Sequence, residues 1–74
     1  MPSDRDIALG ERIANLLEER GLTQDGLGAA LGIHQSGISR RLSGDIPIRA
    51  AELIAIASFL DVSLGELSGT EAVA

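Results

Sequence analysis

Residues 22–44 read LTQDGLGAALGIHQSGISRRLSG, and the fold turns on how this stretch divides. Thr23 is a good N-cap, Asp25 falls in the first turn, and Leu27 and Leu31 at i, i+4 make a buried stripe until Gly32 ends the run. This predicts a helix over 24–31. Gly32-Ile33-His34 is a tight turn. Gln35 opens the next run, in which Ile38 and Leu42 face inward before Gly44 stops it, predicting a helix over 35–43. Two helices of about eight residues, joined by a turn too short to reverse direction, must cross steeply instead of running antiparallel; this is the helix-turn-helix arrangement.

The flanks supply three more helices. Ser3-Asp4-Arg5-Asp6 is a capping-box-like start, after which Ile7, Gly10, Ile13 and Leu17 share one face with Leu9 and Leu16 beside them, until Gly21. A first helix over about 5–20 follows. Pro47 disfavours helix at Ile46 and lacks a donor, so Asp45-Ile46-Pro47 is a connector ahead of Leu53, Ile56, Ala57 and Leu60 at helical spacing, a helix over about 49–60. Ser63-x-x-Glu66 is a second capping box and starts a short helix, 63–68, with Leu64 and Leu67; residues 69–74 read as a frayed tail.

Composition agrees and excludes much else. The chain has 74 residues, no cysteine, one histidine, and eleven acids against six arginines with no lysine. A chain this short buries only about 60% of its unfolded surface and has no disulfide to help, so stability must come from helix packing, a partner, or both. Hydrophobic content of 45% with a single aromatic favours packed helices over a β-sandwich. No thiolate or imidazole cluster is available for a metal, and no acid/base pair stands beside a nucleophile, so neither a metal, a cofactor nor an enzyme is expected. Gly26, Leu27 and Gly28 do not form a nucleotide loop, since residue 31 is Leu and no lysine exists to hold phosphate. The apolar stretch from Leu53 to Leu60 is far below the roughly 20 residues that span a bilayer. The acidic start MPSDRD lacks the order of a signal peptide, and a cysteine-free chain fits the cytoplasm.

With the flanks in place, the stretch 22–44 followed by IPIRAAELIAIASFLDVSLGELSG (46–69) resembles the Cro and lambda-repressor (XRE-type) family of helix-turn-helix DNA-binding domains. The likeness runs from Ile7 to Ser68 in order, spacing and turn residues. It implies an all-α, five-helix lambda-repressor-like domain over 1–74, with the helix-turn-helix at helices 2 and 3. It also implies that helix 3 is the recognition helix, with Gln35, Ser36, Ser39 and Arg40 projecting into the major groove of double-stranded DNA. Helical geometry agrees for most of them: at about 100° per residue Ser36, Arg40 and Ser43 share the face turned away from Ile38 and Leu42, with Ser39 and Gln35 toward its edge. Gln can pair bidentately with adenine N6/N7, Arg with guanine O6/N7, and Ser can serve several base edges. Gln24 matches a family glutamine that contacts the DNA backbone and supports the first residue of helix 3, here Gln35. Thr23 and the backbone N–H groups that open helix 2 add an anion site.

Other positions carry two readings. Arg41 lies on the inward side, where the family often has an apolar residue; it either snorkels to pair with an acid of helix 1 or helix 4, or contacts phosphate. His34 reads as a turn or N-cap residue near phosphate. Arg49 stands where a capping residue belongs, leaving helix 4 without a good side-chain cap, or it holds phosphate. Gly28 takes the family's usual alanine position, where a smaller side chain is compatible, while Gly26, Gly28 and Gly37 inside helices each cost about 1 kcal/mol relative to Ala.

The net charge of −5 opposes a DNA partner until it is resolved by position. Residues 1–31 carry −3 and residues 51–74 carry −4, while residues 32–50 hold three arginines against Asp45 alone, a balance of +2. Few phosphate contacts imply weak binding by one protomer, and palindromic half-sites about 34 Å apart call for a two-fold partner. Mean hydropathy of +0.21, with Phe59, Val62, Leu64 and Leu67 near the C-terminus, places the homodimer contact at helix 5 and the end of helix 4; the same residues could instead close the monomer core. The resulting expectation is a transcriptional regulator, a phage or bacterial repressor or Cro-like protein that blocks a promoter at a palindromic operator. An autoregulating antitoxin, or a helix-turn-helix used for protein contact as in an anti-repressor, is the alternative. A C-terminus six residues past helix 5 fits a complete chain or the DNA-binding half of a longer repressor.

Overall fold

A computed structural model describes residues 3–69 and contains five α-helices: α1 (Asp4–Glu19), α2 (Gln24–Leu31), α3 (Gln35–Ser43), α4 (Ala50–Leu60) and α5 (Leu64–Ser68). Apart from Gly69, the expected tail over 69–74 lies outside the described residues. The boundaries follow from hydrogen-bond satisfaction at each end. Ser3, Thr23 and Ser63 each accept from the backbone N–H three residues on, at 3.1, 3.0 and 3.0 Å. Those bonds satisfy first-turn donors that have no partner inside the helix. Arg49 and Ser63 are caps and not helical residues, so α4 and α5 each start one residue later than expected.

The C-terminal ends use left-handed residues. Gly44 has φ of +91°, and its N–H bonds Arg41 O at 3.2 Å while Asp45 N–H bonds Arg40 O at 2.9 Å. A side chain there would be strained by φ and would also meet Ile7 Cγ1 at 2.9 Å. Asp61 alone among the described non-glycine residues takes positive φ, at the end of α4, which short polar side chains tolerate best.

Ile13, Leu17, Leu27, Ile38, Ile56, Ala57, Leu60 and Leu67 form the core, so every helix contributes at least one buried side chain. Each fully buried Leu or Ile contributes about 1.5–3 kcal/mol relative to exposure. The α1 helix packs along α3 and α5, α2 on α3 and α4, and α4 on α5. Its contact with α3 is unusually close. A Cβ on Gly10 would overlap the Leu42 carbonyl oxygen and stand 2.6 Å from its carbon. Gly10 and Ile7 therefore seat α1 on the last turn of α3 and fix how α3 is held.

Gly28 needs its missing side chain for a related reason. A Cβ there would come within 2.6 Å of Ile33 O, because the turn into α3 folds back over α2 and Ile33 N–H bonds Gly28 O at 2.9 Å. A small residue is compatible there as expected, but the expected cost of glycine relative to alanine at position 28 is corrected. Helix propensity alone predicts a gain of about 1 kcal/mol for Gly28→Ala. The turn predicts a loss of about 1–3 kcal/mol from overpacking, a difference in sign that a urea titration resolves.

Candidate nucleic-acid interface

One helix face collects the expected reading residues. Gln35, Ser36, Ser39, Arg40 and Ser43 are all exposed on α3, whereas Ile38 on the opposite side is buried and Gly37, Arg41 and Leu42 are half-buried. Thr23, Gln24, His34 and Arg49 are exposed as well, at the starts of α2, α3 and α4. Ser43 Oγ donates to Arg40 O at 2.9 Å and so turns back on its own helix.

The electrostatics single out α3 from its neighbours. The other four helices each carry an acid in the first turn: Asp4 and Asp6, Asp25, Glu52, and Glu66. The first turn of α3 has none, and Arg40 and Arg41 stand in its last turn. Cations at a C-terminus complement the helix dipole, and an N-terminus free of carboxylates leaves its partial positive charge open to an anion. Among the described residues, the Arg40 and Arg49 guanidiniums have neither ion pair nor hydrogen bond; Arg40 is available to a polyanion, and so is Arg49, whose charge also acts at longer range on Glu52.

Arg41 is committed elsewhere. Its Nε and Nη2 donate to Glu52 Oε1 and Oε2 at 3.1 and 3.0 Å, and its Nη1 donates to Gly37 O at 2.9 Å. This is a bidentate pair with α4, one of the partners expected for an inward-lying arginine, and it commits three of the five guanidinium N–H donors inside the protein. Setting aside this internal pair reduces the free charge of the 32–50 segment to Arg40 and Arg49 against Asp45, a balance of +1.

The sequence reading placed Glu52 only among the acids of helix 1 and helix 4 that Arg41 could meet. Glu52 also accepts the Arg49 backbone N–H at 3.1 Å, completing one half of a capping box; an arginine side chain has only donors, so the other half cannot form. The Arg49-x-x-Glu52 spacing is the signal that could have revealed it. Hydrogen bonds from Arg41 hold the Glu52 carboxyl below its ordinary range, against the opposing effect of burial and with help from the Arg49 N–H. A carboxylate depressed on folding stabilises above its unfolded pKa, and that contribution is lost as pH falls through the lowered folded value. Glu52→Gln is therefore expected to lose about 1 kcal/mol near neutral pH, with the difference from the parent vanishing in strong acid. Thermal melts at pH 7 and at successively lower pH check this.

Two expectations need correction. The Gln24–Gln35 support does not form: neither side chain has a hydrogen-bond partner among the described residues. Both amides are exposed, and a water-facing pair gains too little to offset the ordering of two long side chains. Leu67, expected at a dimer contact, is 0% exposed in the monomer core and cannot reach a partner. Phe59 and Val62 are half-buried against that core. Among the described residues, the two large exposed apolar side chains are Leu64 at 45% and Ile54 at 57%. Ile54 was passed over because it lies off the 53/56/57/60 stripe, on the outer face of α4.

This combination of fold and exposed helix defines a class, the helix-turn-helix DNA-binding regulators. A helix-turn-helix family model matches residues 13–67, and the chain belongs to that family, of Cro and lambda-repressor (XRE) type. Its members are DNA-binding transcription regulators and not enzymes. Among solved structures, the restriction-modification controller protein C.AhdI from Aeromonas hydrophila has the same fold, with a TM-score of 0.77 and 24% identity over 82% of this chain and 92% of that one. No curated protein sequence matches the chain significantly.

Proposed function

We propose that this protein is a cytoplasmic repressor that occupies a palindromic operator as a homodimer, each protomer placing α3 in the major groove. The observation that carries this reading is the α3 face: four exposed side chains with base-reading chemistry on a helix whose first turn holds no acid. Gln35, Ser36, Ser39 and Arg40 read bases. Arg49, Thr23, Gln24 and the open N-terminus of α3 hold phosphate, and His34 and Ser43 support α3 from its ends. That face also favours nucleic acid over a protein partner for α3, since a polyanion is what an uncompensated helix N-terminus beside free arginines attracts. No helix of the described residues is long and apolar enough to cross a membrane.

Dimerisation rests on the exposed apolar residues. A free charge balance of +1 on the docking segment leaves one protomer with few phosphate contacts, and a second protomer doubles them. Ile54 and Leu64, with the half-buried Phe59 and Val62, supply the self-contact in this reading. Ile54→Glu is expected to leave the fold intact, because the side chain is already in water, and to abolish the dimer. Sedimentation at micromolar protein, free and on operator-length DNA, tests both statements: a parent protein that stays monomeric in each case contradicts the dimer.

A further inference from the structure

The chain's single histidine caps α3 beside one of the proposed reading residues. His34 Nδ1 lies 3.1 Å from the Ser36 backbone nitrogen and 3.0 Å from Ser36 Oγ. A backbone N–H can only donate, so Nδ1 presents its lone pair and the ring proton sits on Nε2. Since Nδ1 cannot donate, the Ser36 hydroxyl is the donor in the second contact, sharing the single Nδ1 lone pair with the backbone N–H, and its one proton is used there. What Ser36 Oγ offers outward, at the exposed start of α3, is lone pairs alone. An unrestrained serine serves either kind of base edge by rotating its hydroxyl; a serine whose proton is held accepts only.

From this juxtaposition we propose that His34 is a specificity-determining positioning residue. It makes Ser36 an acceptor-only reader, so the base opposite Ser36 must carry an exocyclic amino group, adenine N6 or cytosine N4. The inference rests on the reading above that Ser36 contacts a base. Guanine O6 or thymine O4 at that place would set two lone pairs against each other, or would have to draw the hydroxyl proton away from His34. Either way the keto base is disfavoured, and discrimination arises as much from rejection as from attraction.

The test begins with the sequence preferred by the parent protein in a random duplex pool. Ser36→Ala locates the position, which is the base pair whose preference that substitution erases. At this pair, the parent is expected to bind adenine and cytosine on one strand alike, and both about 3- to 10-fold tighter than guanine and thymine. His34→Ala frees the hydroxyl and should bring that ratio to about one, while His34→Asn, whose Oδ1 has lone pairs for both Ser36 donors, should restore it. The readout is a ratio between DNA sequences on the same folded protein, so a weaker helix cap alone does not change it. A ratio unchanged in His34→Ala, or a Ser36→Ala variant with every preference intact, overturns the proposal while leaving base reading by Gln35 and Arg40 standing. A parent protein that enriches no sequence overturns both.

Discussion

Gly10→Ala is expected to destabilise the protein by about 3 kcal/mol, lowering Tm by roughly 10–20 °C. In an isolated helix the same change gains about 1 kcal/mol, so the sign itself is diagnostic. The reason lies between α1 and α3, where the added methyl would occupy the space of the Leu42 carbonyl. Both sides of that contact are backbone, and no rotamer change relieves it; the helices must separate, and the neighbouring fit of Ile7 on Gly44 opens with them. A domain of this size has only about 4–11 kcal/mol in total, so the loss is a large share of it. Denaturant titration followed by circular dichroism checks the prediction. A Gly10→Ala protein as stable as its parent would show that α1 and α3 are not so closely apposed.

Gln35→Ala combined with Arg40→Ala is expected to weaken operator binding by about 10²- to 10⁴-fold, since each good bidentate contact supplies about 1–3 kcal/mol of discrimination. The fold should survive, because both side chains are exposed and neither is bonded to the rest of the protein. Affinity for unrelated DNA should fall much less and mainly through the lost arginine charge, because non-specific binding depends on phosphate neutralisation. Titration of operator and scrambled duplexes at one stated salt concentration separates the two. Equal losses on both duplexes would mean that α3 sits on the backbone and reads nothing.

Local features of the sequence located the elements well. Ser3, Thr23, Ser63 and the glycines at 32 and 44 act within one turn of themselves, so the helix ends they set can be read without knowing the fold. The polar face of α3 was legible for the same reason: 3.6-residue periodicity separates Ile38 and Leu42 from Ser36, Arg40 and Ser43 whatever α3 packs against, whereas Gln35, seven residues before Leu42, falls at the edge of that face. Contacts between elements were harder. The need for glycine at positions 10 and 28 comes from the Leu42 and Ile33 carbonyls, which arrive from other segments and leave no trace in the local pattern. Arg41 could be placed inward by its helical phase, but choosing Glu52 among the acids required the path of the chain through residues 44–50. Leu64 and Leu67 have the same composition signal; only the packing of α5 on α1 and α4 sends Leu67 into the core and leaves Leu64 in water. The His34–Ser36 contact spans two residues, yet it depends on a ring nitrogen and a hydroxyl whose directions no sequence pattern encodes.

The central claim, that α3 reads DNA sequence, is tested most directly by selecting bound duplexes from a random pool at a stated salt concentration. The account predicts enrichment of one short motif, repeated as a palindrome with half-sites about 34 Å apart, and loss of enrichment with Gln35→Ala/Arg40→Ala. A folded parent protein that enriches no motif, or whose enriched motif is unchanged in the double variant, would contradict it.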